Sequence, residues 1–360
     1  MNFFKKYTCL LIALSTLFFL ACDKEELGAG GNGSSDDTII LKENAFGCQE
    51  YQSFQVAGDG QLVHSMHQYN NYFLYHFSTL DSNYLEIKNG IDVNTVLTEK
   101  MHVRKFFDYE NKVLICSDNG IYELDEQLNL NLKVEEECRD IILTNNNQLL
   151  FIGQSLQDIK IYYPSIDFFE DYNTFSRDSE LGYLGLFNGQ GNTFWGITDL
   201  GELVLFEGPW IKEHYYDSNS SLHTHNWSTG DKYLFPFQYK GDQYFVESFS
   251  SEGQILMYNN DYFKILVDFS WDNEVEDWVD IRPLEFEEIM VKGDNLYIGT
   301  KRDGIIKCDL TKEGFWGMDN IQVFADPDLP SNWVSYLYAG KNGKVYIIND
   351  RKIVTEVDCF

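Results

Sequence analysis

Short apolar runs, each bounded by polar turn residues, recur down this chain at nearly regular intervals. Asn111-Lys112-Val113-Leu114-Ile115-Cys116-Ser117-Asp118-Asn119-Gly120-Ile121-Tyr122 shows the unit: a turn, an apolar run, a polar break with glycine, and a second run. Residues 294–306 repeat it almost position for position. Looser copies centre on residues 149–153, 194–198, 244–248 and 345–348, with a fainter seventh at Tyr72-Phe73-Leu74-Tyr75. Runs this short between turn signals predict buried strands rather than helices. After Cys22 no stretch keeps a helical period for more than a few turns. The 23 Tyr, 27 Phe and 7 Trp favour strands as well. The copies lie about 36 to 52 residues apart, near the 40 to 50 of a four-stranded propeller blade. The expected fold is therefore all-β, a β-propeller of seven four-stranded blades. Six or eight blades stay open because the first copy is faint.

A ring needs a seam, and pairing a strand from one terminus with the blade built by the other removes a free sheet edge. Thr38-Ile39-Ile40-Leu41 or the stretch around Tyr51-Gln52-Ser53-Phe54-Gln55-Val56 is expected to complete the blade that ends at Lys352-Ile353-Val354-Thr355-Glu356-Val357. Cys48 and Cys359 would then meet near the seam as a candidate disulfide. Five cysteines follow Cys22, so at least one stays unpaired or pairs between molecules. Cys116 and Cys308 fall inside strand runs and read as buried thiols.

Leu329-Pro330-Ser331-Asn332-Trp333-Val334-Ser335, followed by Gly343-Lys344-Val345-Tyr346-Ile347, resembles the two-component regulator propeller repeat, and residues 295–300 (NLYIGT) match its second half. The resemblance implies a sensory-type propeller of exported proteins. It covers two blades well and supports fold more than role. No kinase segment follows the last run, so a direct signalling enzyme is not expected.

The N-terminus sets the compartment. Lys5 and Lys6 precede an apolar run from Cys9 to Ala21, too short to span a bilayer comfortably, and this reads as a secretory signal. Phe19-Leu20-Ala21-Cys22 resembles a bacterial lipobox, although Phe19 and Leu20 depart from its usual residues. Asp23-Lys24-Glu25-Glu26 looks like the acidic signal that sends Bacteroidota lipoproteins to the outer face of the outer membrane. These resemblances imply lipidation of Cys22 and anchoring without a membrane span. Gly28, Gly30 and Gly33 satisfy G-x-G-x-x-G literally. That fingerprint has meaning only between a strand and a helix, so residues 22–37 read as a lipidated N-terminus and flexible Gly/Ser/Asp tether. The expected organisation is signal 1–21, tether 22–37 and propeller 38–360.

A net charge of −30 makes nucleic acid a poor partner. The dense acidic stretch between Asp272 and Glu288 has no D-x-D-x-D-G calcium loop and reads as a solvated loop. His223 and His225 would face one side of a strand, yet zinc needs a third protein ligand that no neighbour supplies, so no metal or cofactor is expected. His64 and His67 would face apart, whereas His76 shares parity with His64. No G-x-S-x-G, H-E-x-x-H or phosphate-binding loop is present. Among the aromatics, Trp195 and Trp333 sit in repeat motifs and read as packing, while Trp210, Trp227, Trp271, Trp278 and Trp316 fall in connections. The candidate ligand-contacting group is His223, His225, Trp227, Trp271 and Trp278. The sequence thus points to a surface-anchored, non-catalytic binding module for a protein partner or a glycan, with a propeller hydrolase or lyase acting on an extracellular glycan as the alternative.

Overall fold

Each of the seven apolar runs becomes the second strand of a four-stranded antiparallel blade. The computed structural model describes residues 51–357, apart from residues 92–93, 155–158, 173–181, 199–202, 216–232, 250–251, 260–261, 269–285, 303, 312–320 and 325–328. Blade 1 comprises β2 (Leu62–Tyr69), β3 (Tyr72–Ser78), β4 (Asn83–Asn89) and β5 (Thr95–Glu99), and blade 2 comprises β6 (Val103–Tyr109), β7 (Lys112–Ser117), β8 (Gly120–Leu124) and β9 (Leu130–Val134). Blade 3 is β10 (Asp140–Leu143), β11 (Leu149–Ile152), β12 (Ile159–Tyr163) and β13 (Phe168–Asp171). Blade 4 is β14 (Tyr183–Asn188), β15 (Thr193–Thr198), β16 (Leu203–Glu207) and β17 (Trp210–Tyr215). Blade 5 follows with β18 (Tyr233–Tyr239), β19 (Asp242–Phe249), β20 (Glu252–Asn259) and β21 (Tyr262–Asp268). Blade 6 has β22 (Phe286–Lys292), β23 (Asn295–Thr300), β24 (Ile305–Asp309) and β25 (Ile321–Phe324). Blade 7 is built from both ends of the chain, as β26 (Val334–Ala339), β27 (Val345–Asn349), β28 (Ile353–Val357) and, outermost, β1 (Tyr51–Gln55). The chain is a seven-bladed β-propeller.

The seam lies where the sequence placed it. β1 pairs antiparallel with β28 from Tyr51↔Val357 to Gln55↔Ile353, and the Ser53 and Thr355 hydroxyls meet at 3.0 Å across the pair. Residues 38–41, the other candidate closing strand, lie outside the described residues, as do Cys48 and Cys359.

The core is a set of seven hydrophobic clusters, one between each pair of neighbouring blades. The second strands supply their centre: Val113, Leu114, Ile115 and Cys116 of β7 are fully buried, as are Leu296, Tyr297 and Ile298 of β23. A strand covered on both faces reads as a continuous apolar run, which is why these runs stood out in sequence. Burying each such side chain contributes about 1.5–3 kcal/mol. Blade spacing is tight at Gly299, where an added Cβ would lie 2.7 Å from Val334 Cγ1 of the next blade. The buried hydroxyl that ends a second strand holds the turn after it. Ser117 Oγ donates to Gly120 O at 2.8 Å, and Thr300 Oγ1 to Gly304 O at 3.0 Å.

Two cysteine readings resolve differently. Cys308 is a buried free thiol, as expected. Cys116 is not: it forms a disulfide with Cys138, whose Cα lies 5.0 Å away. The pairing is invisible in sequence because Cys138 sits in the connection that enters blade 3, where its N–H donates to Ser117 O and returns it alongside β7.

Candidate binding face

The strand directions give the ring two unlike faces. On one, first-to-second and third-to-fourth strand turns emerge; on the other, each inner strand begins and the second-to-third turns emerge. The turn face is stapled from blade to blade. Tyr69 OH donates to Asn111 O (2.9 Å), Lys133 Nζ to Asp167 (3.3 Å), Asn145 Nδ2 to Gly191 O (2.8 Å) and Gln190 Nε2 to Gly241 O (3.1 Å). Tyr239 OH donates to Asp294 (2.6 Å), Lys292 Nζ to Gly343 O, and Gln68 N–H to Tyr338 OH (3.1 Å), which completes the circle. His67, part of this face, bonds Asp108 at 3.0 Å, and Lys341 reaches the same carboxylate from blade 7.

The entry face is built differently. Five inner strands carry a β-bulge within their first three residues: at His64, Arg104, Leu184, Glu287 and Ser335. The residue before each bulge is buried and apolar or aromatic (Val63, Val103, Tyr183, Phe286, Val334), so the fold fixes it. The bulge bends the strand locally, and the bulged position is free to vary in chemistry. Leu184 uses it to expose an apolar side chain (53%), and Leu80, in the turn after β3, is 99% exposed on the same face.

Over blades 1 and 2 this face gathers imidazoles. The His64 and His76 rings lie 5.0 Å apart, as do those of His76 and His102. His64 Nε2 bonds Ser78 Oγ at 2.6 Å, and His102 Nδ1 bonds Asp118 Oδ2 at 2.9 Å. Arg104 Nε donates to the other Asp118 oxygen at 2.6 Å. His76, only 3% exposed, has a buried Nε2 with no hydrogen-bond partner. Burial, with His64 and His102 beside it, pushes the His76 pKa down to about 3. Burial, Arg351 and His102 lower that of His64. Burial alone would raise the Asp118 carboxyl, but the hydrogen bonds from Arg104 and His102 outweigh it and hold the group below the ordinary carboxylate range. His64 and His76 share parity, as half of all residue pairs do; His102 joins them from the connection into blade 2, which no periodicity marks. Among the described residues no group of three His, Cys, Asp or Glu is arranged to hold a metal ion.

At the seam beside this group, Arg351 lies over the Trp333 ring, 5.1 Å from its centroid. Trp333 is therefore half-buried blade packing with one side given to a cation. Nearer the axis, Lys105 Nζ bonds Asp140 Oδ1 at 2.6 Å, while Asp140 Oδ2 accepts from Leu186 N–H of blade 4 at 2.7 Å. Glu288 of blade 6 also belongs here. It was expected in a solvated loop, but it lies in β22 among neighbours that desolvate it. Burial pushes its pKa up to about 7, against the hydrogen bond from Ile289 N–H and the charge of Lys105.

The residues favoured from sequence, His223, His225, Trp227, Trp271 and Trp278, lie outside the described residues, as does Cys22. Trp210 is not in a connection: it begins β17, an outer strand, and is 58% exposed.

No family model and no curated sequence matches the chain. Solved structures do match in fold. Virginiamycin B lyase from Staphylococcus aureus, solved as a catalytically inactive variant with quinupristin, aligns with TM-score 0.51 at 10% identity over 85% of this chain and 98% of its own. The extracellular domain of BT4673 from B. thetaiotaomicron, assigned to a one-component or hybrid two-component system, aligns with TM-score 0.52 at 12% identity over 85% of this chain and 40% of its own. PorZ, a surface component of the type-IX secretion system of Porphyromonas gingivalis, aligns with TM-score 0.56 at 11% identity over 85% and 47%. At such identities the likeness establishes the propeller fold.

Proposed function

We propose that this protein is a surface-anchored lipoprotein, held in the outer membrane through Cys22 and facing the cell exterior, whose propeller binds a partner on its entry face. The observation that carries the reading is the inequality of the two faces. On the turn face the stapling polar side chains are engaged in joining neighbouring blades. On the entry face, a half-buried tryptophan and two exposed leucines sit near bulges that place side chains without disturbing the core. Groups left over after folding are those available to a ligand. Export is supported by the N-terminal signal pattern and by the Cys116–Cys138 disulfide, since such bonds persist in oxidising compartments. It also agrees with the extracellular and surface proteins among the fold neighbours. A protein partner is favoured over a glycan. The hydroxyl and carboxylate groups near the imidazoles (Ser78, Asp118) are already engaged, leaving few to read sugar hydroxyls.

The test is a peptide and glycan array probed with the full chain, comparing wild type with Leu80→Glu on the entry face and Lys240→Glu on the turn face. The reading expects binding to a peptide class that is lost in L80E and kept in K240E. Binding lost in K240E and kept in L80E would overturn it. A second reading, a hydrolase or lyase acting on an extracellular glycan, rests on the His102–Asp118 pair. A carboxylate on Nδ1 leaves Nε2 positioned to take a proton. It expects an arrayed glycan to be consumed over time, and consumption to stop in His102→Ala.

A further inference from the structure

Two arginines act on the entry-face imidazoles in this chain of 57 acidic and 27 basic residues, and of the two only Arg351 lacks a carboxylate partner among the described residues. Arg104 is paired with Asp118, Lys105 with Asp140, Lys344 with Glu356 and Lys341 with Asp108. Arg351, half-buried, makes no ion pair with any described carboxylate and instead covers the Trp333 ring. Its backbone is equally unusual. Asp350 and Arg351 form the β27–β28 turn with φ of 50° and 55°, a left-handed conformation that glycine or asparagine adopts at less cost. The turn is pinned from both sides of the seam: Asp350 N–H donates to Trp333 O at 3.0 Å, and Val63 N–H donates to Arg351 O at 2.7 Å. The fold thus holds an arginine where its conformation is disfavoured and pairs its charge with no described carboxylate. Burial, and after it the charge of Arg351, lowers the His64 pKa, and the Trp333 Nε1–H is buried with no acceptor among the described residues.

We infer that Arg351, with His64 and Trp333, forms a carboxylate-binding subsite on the entry face that takes the C-terminal carboxylate of a peptide. The inference rests on the partner-binding reading above and names its chemistry. A guanidinium fixed against an aromatic face presents its remaining N–H groups as a fork that fits a carboxylate. Long-range repulsion from a molecule of net charge −30 disfavours polyanions, which leaves a single terminal carboxylate on an otherwise neutral or basic chain.

The test is calorimetry on the full chain in detergent, using pooled Gly/Ser pentapeptides that end in each of the twenty residues, as free acids and as C-terminal amides. Oligogalacturonate serves as the competing anion. The free-acid pool should bind at least about tenfold more tightly than the amides. Arg351→Asn should abolish that difference while keeping the melting temperature, because asparagine tolerates the left-handed turn. Arg351→Lys should retain part of it. Equal binding of acids and amides, or a difference unchanged in R351N, overturns the inference. Oligogalacturonate binding that depends on Arg351, without peptide binding, overturns the peptide assignment. An array ligand lost in L80E but indifferent to R351N would sink the carboxylate subsite and leave the entry-face reading standing.

Discussion

A buried imidazole with an unpartnered nitrogen and a carboxyl drawn towards the propeller axis respond to acid in opposite directions. The His76 pKa is about 3 in the folded ring against 6.5 for the free side chain. Below about pH 6.5 the unfolded chain takes up a proton that the ring refuses. The contribution of neutral His76 is therefore present above that pH and is lost as the pH falls towards 3. Glu288 titrates near 7 when folded and near 4.5 when free, so the ring holds a proton that the unfolded chain has released. Its contribution is complete below about pH 4.5 and disappears as the pH rises through 7. Urea melts at pH 5 and pH 8 separate the two. His76→Phe should flatten the acid-side loss, and Glu288→Gln should flatten the loss between pH 5 and pH 8. Unchanged slopes in both variants would mean that neither group is as desolvated as the structure places it. The disulfide gives a third residue-level expectation. Closing 22 residues of sequence separation, Cys116–Cys138 stabilises by about 3 kcal/mol through the unfolded chain. The Cys116→Ala/Cys138→Ala pair should lose about that much, whereas Cys308→Ala should leave the reductant response intact.

At the scale of strands, legibility followed burial. All seven second strands were readable because packing on both faces demands unbroken apolar runs, and from them came the blade number. Outer strands were not, since β5 and β13 are mostly exposed and carry residues such as Thr95, Glu99, Glu170 and Asp171. Inner strands hid for another reason. A bulge near the strand start breaks the two-residue alternation at the point where His64 and Arg104 leave the pleat. The candidate face was illegible on the same account: it gathers residues from bulges and connections of three blades, and only the parity of His64 with His76 hinted at it. The closing strand was legible because an unsatisfied edge had to find a partner. Phe54 of β1 packs against the cluster between blades 7 and 1. Phe54→Ser should cost about 2 kcal/mol or more, and deleting residues 51–55 should abolish the single cooperative melt. A deletion variant that melts like the parent would show that the ring does not depend on this seam.

For the whole molecule, strand direction ties anchoring to recognition. In blade 7, β26 runs from the entry face to the turn face, β27 returns, β28 runs out again, and β1 is antiparallel to β28. Tyr51 therefore sits at the turn face and Gln55 at the entry face, so the chain arriving from the N-terminus joins the ring on the stapled side. On the proposed anchoring through Cys22, this junction predicts that His64, His102 and Arg351 face the medium. Two acyl chains anchor stably where one is marginal. Cys22→Ser should move the protein from the membrane fraction to the soluble one without altering its melting temperature. On intact cells carrying the wild-type chain, an epitope tag inserted in the exposed second-to-third turn at Leu80 should bind antibody. The same tag in the first-to-second turn at Glu110 should bind less. Equal reactivity at both turns would mean that the tether lets the ring face either way, and that the junction at Tyr51 does not set its presentation.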